Sequence, residues 1–294
     1  RLYGHSALRI STPESDWAVN FGWFSFNTPN FVMKFILGLT DYSAAWQTMG
    51  IFLSDFCRDD MGVTEQRLDL TPAESRKIRE ALWKVMEKDG YKTYDIPIRS
   101  SYGPHMQEQV LGAKWTYRYN FLYDNCTTRA LSIIASCING RIEWPQVQAD
   151  RSLRDMVHEY SSVSPWNKFG QDLFLGREAD APASFKEQCF APLYAERFMQ
   201  QATIVAADGS RRPLVARTLT LLPVQASPAP ALPLTPLLTF SLLAVLMAAL
   251  TAYGLRRGRT LWGVNMLLMA LQGTVGCFVA FLFFFSEHPT VGSN

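Results

Sequence analysis

Cys126 stands in "YNFLYDNCTTRAL", Tyr119 to Leu131, between an Asp-Asn pair and two threonines and directly ahead of a segment with helical periodicity. A cysteine in the first turn of a helix meets unpaired backbone N–H groups and the positive end of the helix dipole, which favour thiolate over thiol. With Asp124 or Asn125 as N-cap, Cys126 opens the helix proper. Its own N–H then points where a developing oxyanion would sit, so one residue can supply a nucleophile and part of the cradle for the charge it creates. Two plainer roles stay open for it: a buried thiol of the kind expected at Cys137, or one half of a disulfide.

A thiolate nucleophile needs a base, and the chain offers four histidines, His5, His105, His158 and His288. His288 follows the second of two long apolar runs. His158 lies in the charged stretch "DMVHEYSS", where a solvated side chain is expected, and no second histidine follows four residues later as the two-histidine zinc peptidase motif requires. His105, in "SYGPHMQEQV", reads as a turn residue on the surface or on the substrate side. His5 opens a strand behind Gly4, and Asn20 lies on the strand that returns beside it, where an amide can fix the imidazole tautomer. The set these residues could form is Cys126 as nucleophile, His5 as base and Asn20 as orienter. Asn125, Thr127, Arg129 and Tyr123 are candidates for contact with substrate or oxyanion. Each has an ordinary alternative: a cap for Asn125, first-turn support for Thr127, an ion pair with Asp124 or Asp172 for Arg129, a packed aromatic for Tyr123. Asp172 and Asp180, in "FGQDLFLGREAD", are expected as turn or cap residues. No ligand cluster accompanies them, so neither a metal nor a cofactor is expected.

These residues need elements to hold them. "GHSALRISTPESDWAVNFGWFSF" reads as two strands, around Ser6–Ile10 and "WAVNF", joined by a polar turn with a proline. "NTPNFVMKFILGL" is strongly apolar and reads as a surface helix or arm, too short and too interrupted by Lys34 to cross a membrane. "LTPAESRKIREALWKVMEK" is a helix with Thr71 as N-cap, Pro72 at its first position and Glu74 completing a capping box; Ile78, Leu82, Val85 and Met86 form its apolar face. "YKTYDIPI" reads as a strand and "WTYRYNFLYDN" as a strand entering a turn. "CTTRALSIIASCIN" places Leu131, Ile134 and Ile138 at helical spacing and stops near Asn139-Gly140. Helices and loops follow from "WPQVQADRSLRDMVHEY", then a closing hairpin about Asp208-Gly209 and a Pro/Ala linker, "PVQASPAPALPLTP".

Leu234–Leu255 and Leu261–Phe285 are uncharged runs of 22 and 25 residues, each long enough to cross a hydrocarbon core of about 30 Å. Between them, "RRGRT" carries three arginines, which by the positive-inside rule makes residues 256–260 a cytoplasmic loop and puts the preceding domain and the tail outside. Before residue 228, 25 basic and 25 acidic residues balance, so no basic face of the kind nucleic acid requires is expected. The five cysteines lack C-x-x-C spacing, which argues against zinc; one bridge among Cys57, Cys137 and Cys189 stays open. The expected division is an outer domain over 1–225, a linker over 226–233, spans over 234–255 and 261–285, and an outer tail over 286–294. A chain that begins at Arg1 and ends soon after a span is expected to be a processed or truncated form.

In order, "GHSALRI", "VNFGWFSFNTPNF", the Thr-Pro-x-Glu helix and "YRYNFLYDNCTTR" resemble the Lnb N-terminal periplasmic domain family, and "PWNKFGQDLFLGREAD" and "SEHPTVGSN" fit the same family. The resemblance implies a bacterial lipoprotein N-acyltransferase of the inner membrane, multi-pass, with its N-terminal domain in the periplasm. The implied donor is a glycerophospholipid and the implied acceptor the α-amine of a lipid-modified N-terminal cysteine. The order of histidine strand, polar strand and later cysteine helix is also similar to permuted papain-like enzymes, including the NlpC-type peptidases and the lecithin:retinol acyltransferase class. This implies an α+β fold, with His5, Asn20 and Cys126 in matching order. Asn20 stands where the retinol class has a second histidine, and its distance from His5 along the chain is longer than that pattern's. Two other functions compete: an envelope cysteine peptidase or amidase using the same pair with water as acceptor, and a non-catalytic membrane-anchored binding module.

Overall fold

The computed structural model describes residues 4–24, 28–98, 106–147, 150–162, 164–224, 234–288 and 290–293; His105 lies outside them. In chain order the elements are β1 (Ala7–Ser11), β2 (Asp16–Trp23), α1 (Phe31–Ile36), β3 (Asp41–Thr48), α2 (Met49–Arg58), β4 (Val63–Leu68), α3 (Pro72–Glu87), β5 (Tyr91–Ile98), β6 (Met106–Ala113), β7 (Tyr117–Arg118), α4 (Cys126–Cys137) and β8 (Arg141–Glu143). They continue with α5 (Leu153–Ser161), α6 (Pro165–Phe174), α7 (Phe185–Gln188), α8 (Pro192–Gln201), β9 (Thr203–Val205), β10 (Arg211–Pro213), β11 (Val215–Leu222), α9 (Pro236–Arg256) and α10 (Trp262–Phe285). The molecule mixes helix and sheet and ends in two long apolar helices.

Residues 1–153 and 182–227 form the first unit. Its main sheet is antiparallel in the order β1-β2-β3-β6-β5, with β7 paired to the start of β3. The register sets Ala7 opposite Asn20 and Asn20 opposite Ala45. Both faces of β2 are covered. Val19 and Phe21 pack with Ile78, Leu82 and Met86 of α3 and with Cys126 and Cys137 of α4, while Ala18 packs with Met49, Phe52 and Phe56 of α2. Ala18, Val19, Asn20 and Phe21 are all buried, which explains why β2 shows no alternation of apolar and polar side chains. The expected hairpin of β1 and β2 is present, and its turn is closed by the Thr12 and Ser15 hydrogen bonds.

Helix α3 begins with the expected capping box: the Thr71 hydroxyl accepts from the Glu74 N–H, and the Glu74 carboxylate accepts from the Thr71 N–H at 2.8 Å. Glu74 is fully buried and does more than cap. It also accepts from the Asn139 N–H after α4 and from Arg212 of β10, tying three elements to one carboxylate. The turn at Asp208-Gly209 joins β9 to β10 as expected, but the closing arrangement is wider than a hairpin. β9 also pairs β8, and β11 pairs β4, some 150 residues away in the chain.

Residues 154–181 and 228–294 form the second unit. Within it α6 lies along α9: the Trp166 indole donates to the Leu234 carbonyl at 2.7 Å, and Trp166 and Phe169 both meet the Phe240 ring. Phe174 meets Phe278 of α10. These aromatic contacts are why residues 154–181, read from sequence as part of the outer domain, group with the apolar helices. Helices α9 and α10 leave most of their apolar side chains exposed, as spans do before lipid covers them.

Candidate active site

The site is assembled where β1 begins and α4 begins. Helix α4 starts at Cys126 with Asn125 as N-cap: the Asn125 side-chain oxygen accepts from the Thr127 and Thr128 N–H groups at 2.9 and 3.0 Å, and Thr128 returns a bond to the Asn125 N–H. The thiol therefore sits at the first helical position, on the positive end of the helix. A tight turn delivers it there, in which Asn120 and Asp124 exchange backbone hydrogen bonds at 3.1 and 2.9 Å and so fold Tyr119 back toward Cys126.

His5 approaches from the other side. Its Nε2 lies 2.8 Å from Asn20 Oδ1. The Asn20 amide nitrogen donates to the Ala18 carbonyl at 3.3 Å, so the oxygen is the end that faces the imidazole. Nε2 must then carry the proton, which leaves Nδ1 as the nitrogen that can take one from sulfur. Asn20, the cross-strand partner of Ala7, is the diagonal neighbour of His5, which lies two residues before Ala7, and this brings residues 15 apart in the chain together. Phe56 of α2 packs against the ring, with centroids 6.5 Å apart. Ser6 Oγ and Thr127 Oγ1, 3.0 Å apart, pin the β1 strand to α4.

The electrostatics follow from these neighbours. Burial pushes the Cys126 thiol up. The hydrogen bond and charge of His5, the Ser6 N–H and the Thr127 hydroxyl outweigh burial and bring the thiol from its ordinary 9.0 down to about 7. Cys189 makes the contrast: it is buried too, has no such partners, and is pushed up to about 12. All five cysteines are free thiols, so the bridge left open among Cys57, Cys137 and Cys189 is not formed.

Sequence reasoning passed over Tyr119. Burial pushes its phenol up, and the Cys126 charge adds to this, while a hydrogen bond from the Cys126 backbone N–H to the hydroxyl opposes it; the hydroxyl also reaches the Cys126 side chain. The hydroxyl thus shares the Cys126 N–H with any oxyanion formed there. The signal was Gly22 in "FGW". Gly22 has φ +87°, and a Cβ on it would come within 3.0 Å of the Tyr119 ring, the kind of close approach that a glycine inside a strand marks.

The other candidates fall into place around this centre. Thr127 is buried, its hydroxyl 3.9 Å from the Cys126 sulfur. Asn125 spends its amide inside the protein, donating to the Phe121 and Phe190 carbonyls as well as capping α4. Arg129 pairs with Asp124 at 2.6 Å and lies 3.5 Å over the Tyr117 ring, so of its two expected partners it takes Asp124. Tyr123 is on the outside of the turn and exposed. His158 departs from the solvated side chain expected of it. It is largely covered, with Nε2 2.7 Å from Asp172, and Arg154 binds both Asp172 and Asp180, so these carboxylates are ion-pair partners and not caps. An open depression bounded by Ser15, Trp17, Thr48 and Gly50 lies at the turn end of the β1–β2 hairpin, the opposite end from His5.

A family model matches the C-terminal segment of the chain. Residues 228–294 match the Lnb transmembrane domain. No curated protein and no solved structure matches the chain. The Lnb transmembrane domain match takes in α9 and α10 and the three-arginine connection between them, so the two apolar helices correspond to membrane spans of that domain. Cys126, His5 and Asn20 lie in the first unit, ahead of the matched segment.

Proposed function

We propose that the protein is a membrane-anchored thiol acyltransferase of the bacterial inner membrane, with a permuted papain-like first unit in the periplasm, that moves an acyl chain from a glycerophospholipid to the α-amine of a lipid-modified N-terminal cysteine. The observation that carries this reading is the His5–Asn20 pair set on a helix-N-terminal thiol, where it turns Cys126 toward the thiolate. The Lnb-like membrane segment supports a substrate drawn from the bilayer.

The reaction follows a ping-pong course. His5 Nδ1 takes the Cys126 proton, and the sulfur attacks the ester carbonyl of the donor. The tetrahedral oxyanion forms beside the Cys126 N–H and within reach of the Tyr119 hydroxyl, donors placed for developing charge. The carbon–oxygen ester bond breaks, His5 returns the proton to the leaving oxygen, and lysophospholipid departs from a Cys126 thioester. The neutral amine of the acceptor then attacks the thioester. A carbon–nitrogen bond forms, the carbon–sulfur bond breaks, and His5 carries the amine proton to the sulfur. Asn20 holds the imidazole in the required tautomer throughout.

The full chain in phospholipid vesicles, given a synthetic diacylated lipopeptide, tests this. The expected product is a peptide heavier by one acyl chain, with a matching amount of lysolipid and a thioester on Cys126 detectable by mass spectrometry. Peptide cleavage without acylation would make the protein an envelope hydrolase. Unchanged acylation by Cys126→Ser would remove the thiol from the chemistry altogether.

A further inference from the structure

Residues 24–40, "FSFNTPNFVMKFILGLT", carry one lysine and no carboxylate. The helix α1 within them has no buried residue and no side-chain hydrogen bond at its N-cap, where Asn30 is held at φ 56°. A helix of a single turn and a half is marginal in water without tertiary packing. Val32, Met33 and Phe35 are nevertheless 68%, 52% and 48% exposed, an apolar face with nothing but Lys34 among it. On the other side the segment is wired to the nucleophile through aromatic rings. Phe31 stacks on Phe24 at 5.6 Å, Phe24 meets Tyr42 edge-on at 5.0 Å, Tyr42 lies 4.5 Å from Tyr119, and the Tyr119 hydroxyl reaches Cys126.

The occupant of this face is set by what the chain is tied to. From Val224, just past the last strand of the first unit, to Leu234, where the span segment opens, the chain can extend at most about 36 Å. The first unit therefore works within reach of a bilayer surface at all times. An apolar, carboxylate-free face with one cation suits that surface: apolar side chains enter the acyl boundary and a lysine snorkels to anionic headgroups. We propose that α1 is the membrane-contacting element of the first unit and that the ring path from Phe31 to Tyr119 is the route by which an acyl chain leaves the bilayer for Cys126. The membrane contact stands independently of the chemistry; the acyl route rests on the acyl-transfer reading.

Photo-crosslinking in the full chain tests the contact. Benzoylphenylalanine replaces Val32 or, as a control, the exposed Arg79 of α3, and the protein is reconstituted in vesicles of phosphatidylethanolamine and phosphatidylglycerol. The expected result is an intact-protein mass increased by one phospholipid from position 32 and none from position 79. A protein–protein adduct from position 32, or no adduct, overturns the proposal. The route is read separately by Val32→Asp combined with Met33→Asp. The ratio of transfer from vesicle phospholipid to transfer from a dissolved short-chain phospholipid is expected to fall by about tenfold or more, as losing two inserted side chains implies. An unchanged ratio overturns the route. Failure of the acyl-transfer reading looks different: wild-type protein transfers from neither donor, while the lipid adduct at position 32 persists.

Discussion

Two buried thiols in this protein are driven in opposite directions, and the difference is the partners that surround Cys126, His5 first among them. Cys189 shows what burial does to a thiol here, and Cys126 shows what His5, Ser6 and Thr127 do against it. Alkylation of Cys126 by iodoacetamide is accordingly expected to rise with pH through a midpoint near 7. In His5→Ala the largest opposing partner is lost while burial remains, so the midpoint is expected to rise clearly above 7, and acyl transfer is expected to fall by about 10²–10⁴-fold. A midpoint still near 7 would show that the helix terminus, not the histidine, sets the thiolate. Tyr119→Phe keeps the ring against Gly22 and removes only the hydroxyl. It is expected to lower turnover by about 10²-fold, as loss of one oxyanion donor does, with a smaller change in the alkylation profile than His5→Ala gives. Steady-state rates beside alkylation profiles separate the two effects. The His5–Asn20 pair and the helix start at Cys126 were legible because a hairpin and a helix start are local signals, whereas the meeting of Cys126 with His5 was implied only by the family resemblance. Tyr119 was not, because four aromatics crowd "YRYNFLY" and only the fold-back between Asn120 and Asp124 selects which of them meets the sulfur.

At the scale of elements, Glu74 shows how a cap can become a junction. Burial raises its carboxyl, and the Thr71 and Asn139 N–H groups, the Thr71 hydroxyl and Arg212 together hold it below its ordinary 4.5. A carboxyl held low in the folded state stabilises above its unfolded value, and that contribution is lost as the pH falls below 4.5. Glu74→Gln leaves Arg212 facing a neutral group at a buried junction, with an expected loss of about 3 kcal/mol. For a unit of this size that is about 6–12 °C in Tm, measured in detergent, and the acid-side slope of Tm against pH is expected to flatten. No change in Tm would mean that the capping bonds alone hold α3. The capping box itself was legible, since it depends on residues three apart; the reach to Asn139 and Arg212 depends on the fold. The same limit hides β3. "DYSAAWQT" is covered on both faces at Ala44 and Ala45 and shows no period, although it is the central strand that joins the β1–β2 hairpin to β6. The β4–β11 pairing is hidden by sequence distance alone.

For the whole molecule, the proposed lipoprotein acceptor depends on which side of the membrane the first unit occupies. The connection between α9 and α10 carries Arg256, Arg257 and Arg259 and no acidic residue, while the preceding 227 residues balance basic against acidic. By the positive-inside rule the arginines are the orientation signal, and the proposed topology puts this loop on the cytoplasmic side. Two spans with that loop inside would return both ends of the hairpin to the outer side, and the proposed acylation of lipid-modified amino termini requires the first unit to face the periplasm. Introduced cysteines test this in a background with Cys57, Cys126 and Cys277 replaced by serine: Ser210→Cys in the exposed β9–β10 turn and Thr260→Cys in the arginine connection. A membrane-impermeant maleimide added to spheroplasts is expected to label position 210 at once and position 260 only after lysis. Replacing the three arginines by serine is expected to weaken that difference, because it removes the charge that orients the hairpin. The reverse labelling pattern would place Cys126 in the cytoplasm, away from any periplasmic acceptor, and would rule out lipoprotein acylation while leaving the thiol chemistry itself intact.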